Sequence, residues 1–161
     1  MNFEARIKHL RAAREKLPER LSAASRNATL RAVEVATDLT PPTEADLRGA
    51  NTRSGELKQH WATDSVTEPT IEGDRYTTIL ANNKAYSSYV NDGHRMDRHF
   101  VPGLVINEQS GMLEYNPDGK GGIVVGTKTQ YVPGIHMVDK AKKVFQDTLK
   151  EELQDLENLL K

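Results

Sequence analysis

At 161 residues and 37% hydrophobic content, the chain has room for one domain of ordinary size, with a small core and a generous polar surface. Its 22 Lys and Arg stand against 23 Asp and Glu, and a formal charge of -1 excludes a general electrostatic pull toward nucleic acid or anionic membranes. The lack of cysteine excludes disulfide scaffolds, thiolate zinc sites and cysteine nucleophiles. No stretch approaches the roughly 20 apolar residues that cross a bilayer, and the charged start MNFEARIKHLRAAREKL has no signal-peptide core, so a soluble, unsecreted protein is expected.

In chain order, Phe3, Ile7, Leu10 and Leu17 among many charges predict a short amphipathic helix that Pro18 interrupts. A second, longer helix is expected from Pro18 to Leu39, because Leu21, Ala24, Ala28, Ala32, Val35 and Leu39 recur at three- and four-residue steps. Pro41 and Pro42 end it, since proline lacks a backbone donor and biases the residue before it away from helical geometry. Residues 40–54 read as a polar connection. Ser54 to His60 has the character of one or two helical turns, and Trp61–Thr67 and Arg75–Ala81 are candidate strands. Glu68-Pro69 and Gly73-Asp74 supply turn chemistry between them, which predicts an antiparallel pair.

Between Asn83 and Asn91 the tyrosines Tyr86 and Tyr89 sit at helical spacing, predicting a short helix anchored to the sheet by both rings. From Asn91 to Gly134 the chain carries eight of its 11 glycines. This glycine content predicts a long loop-rich excursion, with Met112–Tyr115 pairing Ile123–Val125 across an Asn116-Pro117-Asp118-Gly119 turn. Finally Val138, Ala141, Phe145, Leu149, Leu153, Leu156 and Leu160 predict an amphipathic C-terminal helix. The two long helices are expected to cover the sheet, with Val35, Leu39, Phe145 and Leu149 in the core.

Catalytic chemistry has no visible anchor: the sequence holds no G-x-S-x-G elbow, no phosphate-binding loop and no H-E-x-x-H pair. Of five histidines, only His94 and His99 cluster, with Asp97 between them. Two nitrogens and a carboxylate are a conceivable metal set, but Arg95 and Arg98 add positive charge where a cation would sit, so a solvated or interfacial loop is the preferred reading. Arg26 and Arg31 belong to the wet face of the second helix. No cofactor and no metal are expected.

Three runs carry a resemblance. Leu39-Thr40-Pro41-Pro42 is followed, after extra residues that include Ala45 to Gly49, by Ser54-Gly55-Glu56-Leu57 and Trp61. Asn82, Tyr86, Tyr89 and Gly93 form an Asn-x-x-x-Tyr-x-x-Tyr-x-x-x-Gly-like run, and Gly134 lies in a glycine-containing approach to the terminal helix. In this order the elements resemble the tail-completion and head–tail joining proteins of tailed bacteriophages, the neck and tail-terminator family. The resemblance implies one α+β domain over residues 1–161, with a small antiparallel sheet packed against a long N-terminal-half helix and a C-terminal helix. It implies a scaffold role for Pro41, Ser54, Gly55, Leu57, Trp61, Asn82, Tyr86, Tyr89, Gly93 and Gly134. It also implies a non-enzymatic subunit of the virion, assembled in the bacterial cytoplasm into a ring, commonly hexameric, that caps the tail tube. Its partners would be its own copies, tube proteins, the sheath where the tail contracts, and head-completion or connector proteins, with no membrane and no sequence-specific nucleic acid. The 91–134 excursion, with His94, Arg95, Arg98, His99, Phe100, Tyr115, Asn116 and Tyr131, is the expected partner-contact arm, more mobile when free than when assembled. A head-completion or minor capsid adaptor is the alternative in the same setting, and a small phage-encoded metal-dependent hydrolase is the alternative from another class.

Overall fold

The structure, a computed structural model, describes residues 2–42, 55–111, 113–116, 121–126 and 130–160. It combines long helices with small antiparallel sheets and divides into two compact units, Met1–Ser87 with Ile135–Lys161, and Ser88–Gly134. Among the described residues no helix is long and apolar enough to cross a membrane.

In the first unit, α1 runs unbroken from Phe3 to Leu39, with Pro18 inside it. Two helices were expected there, and the correction has a physical basis. Proline forfeits one hydrogen bond at a cost of about 3 kcal/mol, but Pro18 is exposed, so the freed carbonyl can turn to water. Ala13 and Leu17 before it and Arg20 after it line one hollow with Leu156, so packing holds the helix on both sides of the break. Asn2 caps the start, its side chain accepting from the Glu4 amide at 2.7 Å, and Thr40 in extended geometry ends the helix.

The C-terminal helix α4, Met137–Leu160, lies alongside α1 with opposite polarity: Leu156 is near Leu17, Asn27 bonds Glu152, and Met137 meets Thr40. The buried stripe of α1 is Ala24, Ala28, Ala32 and Ala36, with Thr29, Val33 and Thr40, matched by Met137, Ala141 and Leu156. Such small side chains let the helix axes approach closely. Val35, Leu39, Phe145 and Leu149, expected at the centre, are half-buried at its edges. A strict four-residue step selects Ala36 and Thr40, one position beyond each of the residues anticipated on α1.

Trp61 also lies where a strand was not the outcome. Helix α2 spans Glu56–Asp64 and buries Leu57 and Trp61, four apart on one face; the strand β1 begins only at Val66 and runs to Glu72. It pairs antiparallel with β2, Arg75–Ile79, across the Gly73-Asp74 turn. Glu68-Pro69, read as turn chemistry, instead sits inside β1 where the register shifts between Val66 and Thr70. Proline cannot donate to the ladder, and a bulge accommodates it. Thr78 on β2 meets the buried Thr29 of α1, hydroxyl to hydroxyl at 2.7 Å, which holds the hairpin against the helix.

Helix α3, Ser87–Asp92, leads from the last residue of the first unit into the second. Three antiparallel pairs then nest inside one another. Strand β3 (Gly93–Arg95) pairs β8 (Tyr131–Pro133), β4 (His99–Pro102) pairs β7 (Gly122–Val125), and β5 (Leu104–Ile106) pairs β6 (Leu113–Tyr115). The excursion is thus one interrupted ribbon that goes out and returns. Met112 lies outside the described residues, and the expected pairing of Leu113–Tyr115 with Ile123–Val125 does not form. The reversal is instead at Asn107, whose side-chain oxygen accepts from the Gln109 and Ser110 amides at 2.8 and 3.2 Å while its carbonyl accepts from Gly111 at 2.8 Å. This places the turn nine residues before Asn116, and most of the Asn-Pro-Asp-Gly run lies outside the described residues.

Candidate functional site

Two groups of residues follow from the sequence reading, and the structure treats them differently. Of the scaffold group, Pro41, Gly55, Leu57, Trp61 and Asn82 gather around α2. Gly55, with φ 72°, takes the left-handed conformation at the helix start, and its carbonyl receives the Gln59 amide at 3.1 Å. The Trp61 indole donates to the buried Thr40 hydroxyl at 2.8 Å; that hydroxyl lies 2.5 Å from the Ala36 carbonyl and 3.1 Å from the Met137 sulfur. A polar knot therefore ties α1, α2 and α4 together, next to the half-buried Pro41. Asn82 reaches from the end of β2 to the Leu57 carbonyl at 2.8 Å. Ser54 is outside the described residues.

Around this knot lies a polar clasp. Asp64 accepts from the Asn83 amide at 2.9 Å and from His60 Nδ1 at 2.9 Å, and Lys84 pairs with Glu56 at 2.8 Å. The Asn83 amide, and after it His60 and Thr63, hold the Asp64 carboxyl below the ordinary carboxylate range against its partial burial. Glu56 is lowered chiefly by its bond to Lys84, whose own value is raised by the same bond. The depressed carboxylates contribute stability that is present above about pH 4 and lost as pH falls through their folded values. Lys84 contributes in the opposite sense, losing its part only above about pH 10. The Glu56 side chain is 54% exposed and that of Asp64 only 14%, so Asp64 should dominate, exposed pairs being weak. Melting temperature should therefore fall on acidification from about pH 5 to 3, and Asp64→Asn should melt lower at neutral pH with a visibly flatter acid limb.

The other scaffold residues, Tyr86, Tyr89, Gly93 and Gly134, and the partner-contact residues fall between positions 86 and 134. Tyr86 and Tyr89, expected to anchor the short helix, are both exposed, because α3 is six residues long, begins after Tyr86 and buries nothing. The Tyr89 ring instead makes an edge-to-face contact with His94, centroids 5.8 Å apart. At the base of the ribbon the strands cross closely. Gly93, with φ 83°, has the Val132 carbonyl where a Cβ would stand, and a Cβ on Gly134 would collide with the Asn91 carbonyl. The Tyr131 hydroxyl donates to the Asp92 carbonyl at 3.2 Å across this base.

Beyond the base the ribbon is an open surface. Tyr89, Phe100, Ile106, Tyr115, Val124 and Tyr131 are between 39% and 67% exposed. Phe100 and Val124 face each other across β4 and β7, with the Phe100 ring also over Gly122. Tyr115 lies opposite Leu104, on the face that also carries Ile106. Asn116 donates its amide to the Gly103 carbonyl at 2.8 Å, so it serves the ribbon's own backbone. Arg95, Arg98 and Tyr131 border a hollow of about 600 Å³ where the first pair of strands gives way to the second. His94 is half-buried beside Tyr89, while His99 is exposed with its ring nitrogen 2.7 Å from the Asp97 carbonyl. Among the described residues no group of three or more His, Asp or Glu is placed to hold a metal ion.

Ile106 and Val124 were missed as surface residues, although the short apolar runs Leu104–Ile106 and Ile123–Val125 signal strands and alternate strand positions must face outward in a two-stranded ribbon. Thr40 had no such signal; a threonine before two prolines reads as a boundary residue. No family model, curated protein or solved structure matches the chain.

Proposed function

We propose that the protein is an assembly adaptor that binds its partners through the 88–134 ribbon, and that it acts at the neck or head-proximal tail terminus of a phage or phage-like particle. One observation carries the adaptor reading. Among the described residues of the ribbon no apolar side chain is buried, glycine aside, while six large ones lie open. Two-stranded ribbons are marginal alone, and exposed aromatic surface of this kind is typical of interfaces. Binding supplies the missing core. The tail setting rests on the resemblance of the three sequence runs, and the ring of copies and the docking to tube and head-completion proteins come with it.

The test is direct. Electron microscopy of the purified chain with tail tubes should show wild-type protein capping tube ends, and Phe100→Ser with Tyr115→Ser should abolish capping while leaving the helical circular-dichroism signal intact. Ribbon amides should gain hydrogen-exchange protection on assembly. Equal capping by the double variant would end the reading.

A further inference from the structure

The first three turns of α1 carry apolar side chains that lie open among the described residues. Phe3 is 79% exposed and Leu10 41% exposed. They lie seven residues apart, with Arg14 continuing the same stripe and Ile7 beside it. From Met1 to Arg14 there are four cations, Arg6, Lys8, Arg11 and Arg14, and the single acid Glu4. Farther along the same helix pair the charge reverses. A groove of about 660 Å³ between α1 and α4 has Leu30, 43% exposed, and Thr148 in its lining, with Glu34, Glu151, Glu152 and Asp155 around them. Leu153, also exposed, adds apolar surface to α4 in this stretch. Among the described residues Arg31 is the one cation of the lining, and it is engaged with Glu34 at 3.1 Å.

We propose that the N-terminal turns of α1 dock in the acidic α1–α4 groove of a second copy of this chain. The apolar stripe would cover Leu30, and Arg11 and Arg14 would meet Glu151 and Asp155. The complementarity is between two different patches, so the contact is head-to-tail, and its repetition closes a ring or extends a filament. A self-complementary dimer of two α1 stripes would bring like charges together and is disfavoured by the same charges. The contact uses none of the ribbon. It deepens the proposed self-association and rests on that part of the reading, so its failure and the failure of ribbon binding are separable.

Light scattering of the full chain across concentration should show oligomers that dissociate in about 1 M salt, where the screening length falls to about 3 Å. Arg11→Glu with Arg14→Glu should weaken association about tenfold or more, and so should Glu151→Lys with Asp155→Lys. An equimolar mixture of the two variants should recover association, because both junctions between unlike variants are complementary: the wild-type arginines meet the wild-type acidic groove, and the introduced glutamates meet the introduced lysines. Phe100→Ser with Tyr115→Ser should associate like wild type. All substituted positions on the helices are exposed, and an unchanged helical signal checks the fold. A wild-type chain that stays monomeric, variants that associate normally, or a mixture that fails to pair would each overturn the contact; loss of association only in the ribbon variant would assign self-association to the ribbon instead.

Discussion

Trp61→Ala should remove about 3 to 5 kcal/mol of stability, a large fraction of the 5 to 15 kcal/mol that holds an ordinary domain. The indole is buried, and it is the largest side chain in the junction of α1, α2 and α4. Its removal leaves a cavity and also takes from the Thr40 hydroxyl the donor at 2.8 Å. The two contributions can be separated. Thr40→Val keeps the volume, but strands the indole N–H and removes the bond to Ala36, which should cost about 1 to 3 kcal/mol. Because the residues are in contact, the double variant should lose less than the sum of the two. Urea unfolding followed by circular dichroism makes the comparison, since Trp61 is the chain's one tryptophan and fluorescence vanishes with it. A loss below about 1 kcal/mol for Trp61→Ala would show that the junction does not hold the helices.

The parts of the fold legible from sequence were those governed by one local rule. The spacing of Val138, Ala141, Phe145 and Leu156 gave the C-terminal helix, and Gly73-Asp74 gave the hairpin turn, because each signal lies within the element it predicts. At Pro18 the local rule against helical proline is outweighed by packing with Leu156, more than a hundred residues away in the chain. Trp61 opens a stretch, Trp61–Thr67, that reads as extended chain, although its four-residue spacing from Leu57 marks a helix face. Within the ribbon the competition was between two turns. Asn-Pro-Asp-Gly is the stronger motif on paper, yet Asn107 organises the reversal, and pairing of β5 with β6 cannot be seen until both strands are located. The arm was therefore legible as an excursion and as a surface, through its glycines and its unpartnered Phe100, Tyr115 and Tyr131. Its topology was not.

The ribbon's base decides whether that surface is presented at all, and Gly134→Ala should unmake it. A Cβ at this position would occupy the space of the Asn91 carbonyl and crowd the Asp92 and Gly93 backbone. These are backbone atoms, fixed by α3 on one side and by the Gly93–Pro133 pairing on the other, so no flexible side chain can move aside. Gly93→Ala should act in the same way, with backbone strain added because φ there is 83°. Each substitution should cost a few kcal/mol locally, which at about 1.4 kcal/mol per decade lowers hydrogen-exchange protection of β3 and β8 by tenfold or more. Protection in α1 and α4 should stay as it is, since the altered contacts belong to the ribbon. Gly111→Ala is the control: it too has a positive φ, 67°, but a Cβ there meets nothing within 4 Å, so only the strain remains and the base should keep its protection. Partner capture should fail for Gly134→Ala and survive for Gly111→Ala. If Gly134→Ala loses protection in β3 and β8 yet caps tube ends as well as wild type, the ribbon is dispensable for joining; unchanged protection would mean that the crossing at its base is looser than its backbone distances require.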